Sequence, residues 1–216
     1  PGINHTVEGE LVKNFRENLP FKLTEAQKRV IAEIKYDMAG PKAMQRLLQG
    51  DVGSGKTVVA TIASLMAIQG GYQVAFMVPT EILARQHFEK LQTPNSKLQT
   101  QIKIELLTSS LNKKEKDEIY QEIKKGKTGL VIGTHALLEE GVEFKNLGLV
   151  VIDEQHKFGV GQRALLPKKG LNPDVLIMTA TPIPRTLAIT LYGDLDISII
   201  TELPPGRLPI KTMHFR

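Results

Sequence analysis

Residues 50–57 read Gly50-Asp51-Val52-Gly53-Ser54-Gly55-Lys56-Thr57, and this stretch decides the fold of the chain. It fits the pattern G-x-x-x-x-G-K-[ST], the loop that cradles the phosphates of a nucleoside triphosphate. Its glycines allow a tight turn in which successive backbone N–H groups point at the β-phosphate, and the helix that follows adds partial positive charge. The pattern predicts that Lys56 reaches the β- and γ-phosphates and that the Thr57 hydroxyl holds Mg²⁺.

The residues on either side of the loop distinguish a phosphate loop from a chance match in a glycine-containing turn. Arg46–Gln49 is typical of the end of a short strand, and Val58–Ile68 is apolar almost all round. Such a segment indicates a buried helix rather than an amphipathic surface helix. Strand, loop and buried helix, in this order, are the setting that a phosphate loop requires.

Apolar strands alternate with helices over most of the chain. The predicted strands that follow the loop cover residues 72–78, 102–107, 130–132, 147–152 and 175–178, and the predicted helices cover residues 10–18, 25–38, 81–91 and 112–125, with a short helical turn at 136–140. This alternation predicts an α/β fold with a mostly parallel sheet and helices on both faces. Because ligands bind at the carboxyl ends of such strands, the polar residues directly after each strand are the candidates for function.

Two adjacent carboxylates follow the apolar strand that ends at Ile152. We expect Asp153 to bind Mg²⁺ through water and Glu154 to orient and polarise the water that attacks the γ-phosphate. The alternative is an ordinary acidic turn with a helix-capping aspartate. The phosphate loop elsewhere in the chain favours the catalytic interpretation.

The residues after this pair are less specific by chemistry alone. A single histidine such as His156 is more often a structural hydrogen-bond partner than a catalyst, although we prefer a relay role for Gln155 and His156. Thr179 and Thr181 supply hydroxyls at a neighbouring strand end, where they could bond with the acidic segment and report the state of the nucleotide. A threonine-rich turn before a proline is the alternative, and the residues alone leave it open.

Composition limits the class of protein. The chain has 216 residues, 41% of them apolar, and it contains no cysteine, which excludes disulfides and thiolate metal sites. No apolar run is long enough to span a bilayer, so we expect a soluble, cytoplasmic protein without a membrane partner. A net charge of +5 and a pI near 9.3 are modest evidence for an anionic partner such as nucleic acid. With no tryptophan, contact with the backbone is a better prediction than base stacking.

Six segments in order resemble the motifs of a superfamily-two helicase, and the RecG family in particular. They are GDVGSGKT, VPTEILARQH, GTHALL, DEQHKFGVGQR, TATPIPRTLA and GDLDISIITELPPGR, and the resemblance covers Leu19–Ile210. The transcription-repair coupling factor shares much of this pattern, but its acidic box is usually DEEH, so Gln155 favours RecG. RecG proteins generally have arginine where this chain has Lys157, so a bidentate contact there would be weaker.

The resemblance implies the function. It implies a RecA-like P-loop motor domain of an ATP hydrolase and helicase that uses ATP and Mg²⁺ to translocate on double-stranded DNA. Such a protein remodels stalled replication forks and branched DNA, including regression to a four-way junction, in DNA repair and recombination. We expect it to be a monomer.

The resemblance also assigns roles to single residues. Gln27 is similar to the glutamine that reads adenine, although it also occupies a capping-box position after Thr24. Arg85 could be a solvated helix residue, and Thr134 and His135 could cap the helix that follows them. The implied phosphate-binding residues are Gly50, Asp51, Val52, Gly53, Ser54, Gly55, Lys56 and Thr57, and the implied Mg²⁺ ligands are Thr57 and Asp153. The implied catalytic residues are Lys56, Asp153 and Glu154, and the residues that couple hydrolysis to movement are Gln155, His156, Thr179 and Thr181. The implied DNA-binding residues are Thr80, Arg85, Thr134 and His135.

The resemblance implies further domains. Residues 1–20 would be a linker from an upstream wedge domain, 21–203 the ATP-binding first motor domain, and 204–216 the start of a linker to a second motor domain that supplies an arginine finger. Alone, residues 21–203 should hydrolyse ATP slowly and unwind nothing. Two other hypotheses are a small-molecule kinase, which the DEQH and TAT segments disfavour, and a non-catalytic, nucleotide-gated DNA-binding module.

Overall fold

The computed structural model describes residues 2–92, 102–154, 165–181 and 195–202. These ranges contain the strands β1 (Gln45–Gly50), β2 (Gln73–Met77), β3 (Ile104–Leu107), β4 (Leu130–Gly133), β5 (Leu147–Asp153), β6 (Asp174–Thr179) and β7 (Asp196–Ile200). They also contain the helices α1 (Glu10–Glu17), α2 (Glu25–Met38), α3 (Lys56–Gln69), α4 (Glu81–Gln92) and α5 (Lys113–Lys124), with single 3-10 turns at His135–Leu138 and Pro167–Lys169. Every strand and helix predicted from the sequence is present, within a few residues at the ends.

The seven strands of the described residues form a single sheet. Their order is β3-β4-β2-β5-β6-β1-β7, and each neighbouring pair is parallel. The register aligns Gln49 of β1 with Thr179 of β6, and Met178 of β6 with Asp153 of β5. The carboxyl ends of β1, β5 and β6 therefore meet at one place on the sheet edge, as the alternation of strands and helices predicted.

Helices cover both faces of the sheet. Successive strand residues point to opposite faces, so Leu48 belongs to one apolar core and Leu47 to the other. Helices α1 to α4 pack on the first face, where Ile62 of α3 is fully buried. The second face is covered by α5 through Ile123 and by the turn at Leu137. The sheet is thus buried on both sides, which explains the continuous apolar runs of its strands.

Helix α2 begins with the capping box that the sequence predicted. The Gln27 backbone N–H donates to Thr24 Oγ1 at 3.2 Å, and the Thr24 backbone N–H donates to Gln27 Oε1 at 2.9 Å. Helix α5 begins in the same way, with Asn112 as the cap and Glu115 as its partner. Each box satisfies two backbone donors at a helix start.

Strand β7 was not predicted from the sequence. It lies at the edge of the sheet beside β1, where Ser198 and Ile200 are buried but Asp196 and Ile199 are exposed. An edge strand that is partly exposed lacks the continuous apolar run that marks the central strands.

The segment before residue 20 packs on the domain. Helix α1 contacts α3, and Val12 is buried in the first core, as its predicted apolar side requires. His5 is buried at 3% exposure, and its Nε2 lies 3.0 Å from Asp174 Oδ2 at the start of β6. Neither atom has a hydrogen-bond partner among the described residues, so this is a close polar contact rather than an aligned hydrogen bond. That residues 1–20 link to a further domain stays a prediction.

In the described part of the chain, no helix combines the length and the apolar character needed to cross a bilayer.

Candidate functional site

The carboxyl edge of the sheet divides into two halves. The phosphate-loop half is formed by the ends of β1, β5 and β6, and the outer half by the ends of β2, β3 and β4. The predicted nucleotide residues follow the strands of the first half. The predicted DNA residues follow strands of the second, and β2 and β5 meet at the boundary between the halves.

The phosphate loop has the backbone that its glycines predict. Gly53 and Gly55 have φ values of 83° and 90°, in the left-handed region that favours glycine. A Cβ at Gly55 would lie 2.2 Å from Gln27 Nε2, so residue 55 needs glycine for space as well as for φ. The Ser54 hydroxyl is buried and has no hydrogen-bond partner among the described residues. An unpaired polar atom inside this loop is consistent with a site for a polar ligand.

Lys56 points into the loop. Its Nζ donates to the backbone oxygens of Gly50 at 2.6 Å and of Asp51 at 3.1 Å. Burial lowers the pKa of the Lys56 ammonium, and the carboxylates of Asp153 and Glu154 act in the opposite direction. The phosphate loop and the carboxylate pair therefore both affect the Lys56 ammonium, as expected for residues of a single site.

Gln27 contacts the loop directly. Its Nε2 donates to the Ser54 carbonyl oxygen at 2.8 Å, while its Oε1 serves the capping box of α2. The side chain is fully buried. One amide thus fixes the start of α2 and the phosphate loop together, and a contact between Gln27 and adenine stays a prediction.

Replacement of Gln27 tests this double role. We expect Gln27→Ala to weaken nucleotide binding about tenfold, since a net hydrogen bond to the loop is lost. Glu115→Ala is the matched control, because it removes the equivalent residue of the α5 capping box. Both variants should lose about 1 kcal/mol of stability, measured by urea unfolding. Titration with fluorescent ATP and GTP reads the affinity. Equal losses for the two nucleotides indicate an effect on the loop, whereas a loss for ATP alone would indicate contact with adenine.

The carboxylate pair lies at the end of β5. Glu154 has a φ of 48°, which is unusual for a residue with a side chain and typical of functional sites. The Glu154 backbone N–H donates to the Met178 oxygen at 3.0 Å, and its Oε1 accepts from the Ala180 N–H at 3.2 Å. These contacts to β6 and to the residue that follows it fix the direction of the carboxylate.

Thr179 and Thr181 meet each other. Their hydroxyl oxygens are 2.8 Å apart, and the Thr181 N–H donates to Thr179 Oγ1 at 3.2 Å. The Ala180 backbone N–H between these threonines connects the segment to the acidic pair through Glu154 Oε1. Gln155 and His156, the other predicted coupling residues, lie outside the described residues, as does Lys157.

The outer half contains the predicted DNA residues. Thr80 caps α4, because its Oγ1 accepts from the Leu83 N–H at 3.3 Å. Arg85 and His135 are exposed, and they contact Ser110 at 3.4 Å and Ser109 at 3.0 Å. The loop after β3 thus brings the ends of β2 and β4 together.

Thr134 is buried, unlike the other predicted DNA residues. Its side chain is 2% exposed, and its hydroxyl neither caps the following turn nor has another partner among the described residues. The alternative interpretation of Thr134 as a cap is not supported by its side chain, since the hydroxyl makes no capping hydrogen bond. The predicted DNA contact is not tested by this arrangement and stays a prediction.

Three residues of the site were missed from the sequence. Ser109 and Ser110 looked like ordinary polar loop residues, and their position after a predicted strand was the available signal. The sequence predicts only that His87 lies in a helix. The structure places its Nε2 at 3.6 Å from Asp153 Oδ2. No local pattern indicates that contact, because it depends on how α4 packs beside β5.

The predicted Mg²⁺ site has only two protein ligands. The described residues contain no cluster of three or more acidic, histidine or cysteine side chains that could hold a metal ion. Mg²⁺ bound with nucleotide needs only one or two protein ligands, because waters and phosphate oxygens supply the others. Thr57 and Asp153 fit that requirement.

Comparison with known proteins identifies the family. The model of the DEAD/DEAH box helicase family matches residues 24–189. The ATP-dependent DNA helicase RecG of Streptococcus pneumoniae serotype 4 is 59% identical over 94% of this chain and 30% of that protein. RecG of Synechocystis sp. is 57% identical over 96% of this chain and 25% of that protein. The chain therefore spans less than a third of the length of these relatives.

A solved structure supports the same assignment. The structure of RecG bound to a three-way DNA junction has a TM-score of 0.82 and 49% identity, and the match covers 97% of this chain and 28% of that chain. This similarity confirms the RecA-like α/β fold and the resemblance to RecG. The chain belongs to the DEAD/DEAH box helicase family, and RecG helicases are among its relatives.

Proposed function

We propose that this chain is the ATP-binding first motor domain of a RecG-type translocase on double-stranded DNA. The observation that carries the proposal is the division of the sheet edge, with the phosphate loop and carboxylate pair in one half and Thr80, Arg85 and His135 in the other. A motor needs nucleotide and DNA sites on the same rigid element, so that a change at one can alter the other.

The phosphate-loop half supports ATP hydrolysis. The backbone N–H groups of the loop and the Lys56 ammonium bind the phosphates. Thr57 and Asp153 would hold Mg²⁺, which when bound neutralises charge on the phosphates. Glu154 orients and polarises the attacking water, and the Ala180 N–H holds its carboxylate in place. Thr179 and Thr181 lie beside this carboxylate and transmit the change that hydrolysis causes.

The outer half supports contact with the DNA backbone. Arg85 and His135 are exposed there beside the hydroxyls of Ser109 and Ser110. Cationic and hydroxyl side chains are typical contacts to phosphate, which position a protein without reading sequence. Because the related RecG structure contains a three-way DNA junction, the proposed substrate is forked or branched duplex DNA, which the whole protein regresses to a four-way junction in repair and recombination.

The proposal includes parts beyond this chain. A wedge domain would precede residues 1–20, and a second motor domain would follow residues 204–216 and supply an arginine finger. Such a finger contributes about 10³ to 10⁵ in rate. We therefore expect slow hydrolysis by this domain alone, within a monomeric, cytoplasmic protein.

Steady-state ATP hydrolysis with and without forked DNA tests the proposal. It is measured on this domain and on a protein extended through the second motor domain. We expect strong stimulation by DNA in the extended protein and weak hydrolysis by the domain alone. If neither protein responds to DNA while both bind ATP, the translocase proposal fails, and the nucleotide-gated binding module replaces it.

A further inference from the structure

His87 is a buried histidine beside the predicted Mg²⁺ ligand. It lies on α4 and is 7% exposed, with its Nε2 at 3.6 Å from Asp153 Oδ2. Its Nδ1 is buried and has no hydrogen-bond partner in the described part of the chain. The polar contact of this imidazole is therefore made with the carboxylate of the phosphate-loop half.

The imidazole moves with α4. Its ring packs against Phe76 of β2, with ring centroids 5.1 Å apart and an angle of 39° between the planes. Ala84 and Leu91 of the same helix face are buried as well. A ring packed in this way does not swing independently, so a change in its distance to Asp153 requires movement of the helix itself.

The same helix carries the predicted DNA contacts. Thr80 caps its first turn, and the exposed Arg85 precedes His87 by two residues, which is about 200° around the helix. Arg85 thus faces the outer half while His87 faces the core. Strand β2, which leads into α4, pairs with β5 so that Met77 lies beside Ile152, the residue before Asp153.

The distance between the two side chains suits a switchable contact. At 3.6 Å the nitrogen and oxygen are just beyond hydrogen-bond length. A movement of α4 by less than about 1 Å would make the hydrogen bond or open the gap further. A carboxylate that binds a metal is commonly oriented by such a hydrogen bond on its other oxygen or edge.

We propose that His87 is a positioning residue that couples DNA contact on α4 to the orientation of the Asp153 carboxylate. DNA bound at Thr80 and Arg85 shifts α4, and His87 then donates its Nε2–H to Asp153 and holds the carboxylate in the direction that binds Mg²⁺. This inference rests on the proposed function. It adds a route between the two halves of the site that does not pass through Thr179 and Thr181.

Two variants separate the donor from the ring. His87→Phe keeps an aromatic ring against Phe76 and removes the donor, whereas His87→Gln keeps an N–H donor near the position of Nε2. Glu89→Gln is the matched control, since Glu89 is an exposed residue of the same helix. All are made in the protein that contains the second motor domain.

The first readout is binding, not activity. The affinity for fluorescent ATP is measured with Mg²⁺ and with EDTA, in the presence and absence of forked DNA. In the wild type we expect DNA to increase the gain in affinity that Mg²⁺ provides. His87→Phe should reduce that gain by about 10-fold, and His87→Gln should restore most of it. Glu89→Gln should match the wild type.

The second readout separates coupling from DNA binding. We expect His87→Phe to bind forked DNA as tightly as the wild type while it loses most of the stimulation of hydrolysis. Arg85→Ala should weaken DNA binding, and with DNA present it should also reduce the gain from Mg²⁺, because one contact that shifts α4 is lost. Thermal unfolding of each variant reports whether the fold is intact.

The outcomes are distinct. If His87→Phe keeps the wild-type response to Mg²⁺ and DNA, or if His87→Gln is as defective as His87→Phe, the coupling role is overturned while the proposed function stands. If the wild-type protein itself shows no response to DNA, the proposed function fails, and this inference fails with it.

Discussion

Lys56→Ala is expected to lower ATP hydrolysis by at least about 100-fold. The ammonium is the cationic side chain inside the phosphate loop, held there by hydrogen bonds to the backbone of Gly50 and Asp51. Its removal takes away the positive charge that would neutralise the β- and γ-phosphates as charge develops in the transition state. Steady-state phosphate release, with forked DNA present, measures the loss.

A second lysine variant provides the control. Lys114→Ala also removes one positive charge, but from the exposed surface of α5. It should hydrolyse ATP at the wild-type rate. Hydrolysis by Lys56→Ala close to the wild-type rate would show that the loop of residues 50–57 does not bind the phosphates that react.

Glu154→Gln is expected to lower hydrolysis by about 10² to 10⁴ while ATP still binds. The neutral amide cannot polarise the attacking water as a carboxylate does, and orienting and polarising this water is the role proposed for Glu154. Its oxygen can still accept from the Ala180 N–H, and the left-handed backbone at residue 154 is unaffected. The variant therefore separates chemistry from binding.

Single-turnover hydrolysis and equilibrium binding of ATP are measured together. Glu118→Gln, at an exposed position of α5, controls for the loss of one negative charge. An unchanged hydrolysis rate in Glu154→Gln would place the water-activating group elsewhere. A loss of ATP binding in proportion to the loss of rate would instead give Glu154 a binding role.

The part of the fold that could be predicted from sequence is the part that local patterns determine. The phosphate loop, the carboxylate pair after β5 and the cap at Thr24 each combine residue type with a fixed spacing, so that local physics alone specifies their geometry. The buried strands were recognisable because burial on both faces makes them apolar throughout.

The parts that could not be predicted depend on packing between distant segments. The contact from Gln27 to Ser54 requires α2 to lie against the phosphate loop, and the contact from His87 to Asp153 requires α4 to lie beside β5. Strand β7 was missed because its half-exposed sequence gains order from pairing with β1. The sequence motifs identified the phosphate loop and the carboxylate pair, but they did not indicate which residues from distant segments contact them.

The first turn of α2 connects two segments that are far apart in sequence. Gln27 binds the phosphate loop at Ser54, and the neighbouring Ala26 N–H donates to Glu202 Oε2, just after β7, at 3.2 Å. Coupling between two such sites is reciprocal by thermodynamic necessity. If nucleotide in the loop biases the position of the segment at Glu202, it raises the affinity for any molecule that binds this segment in the favoured position. That molecule must then raise the affinity for nucleotide by the same factor.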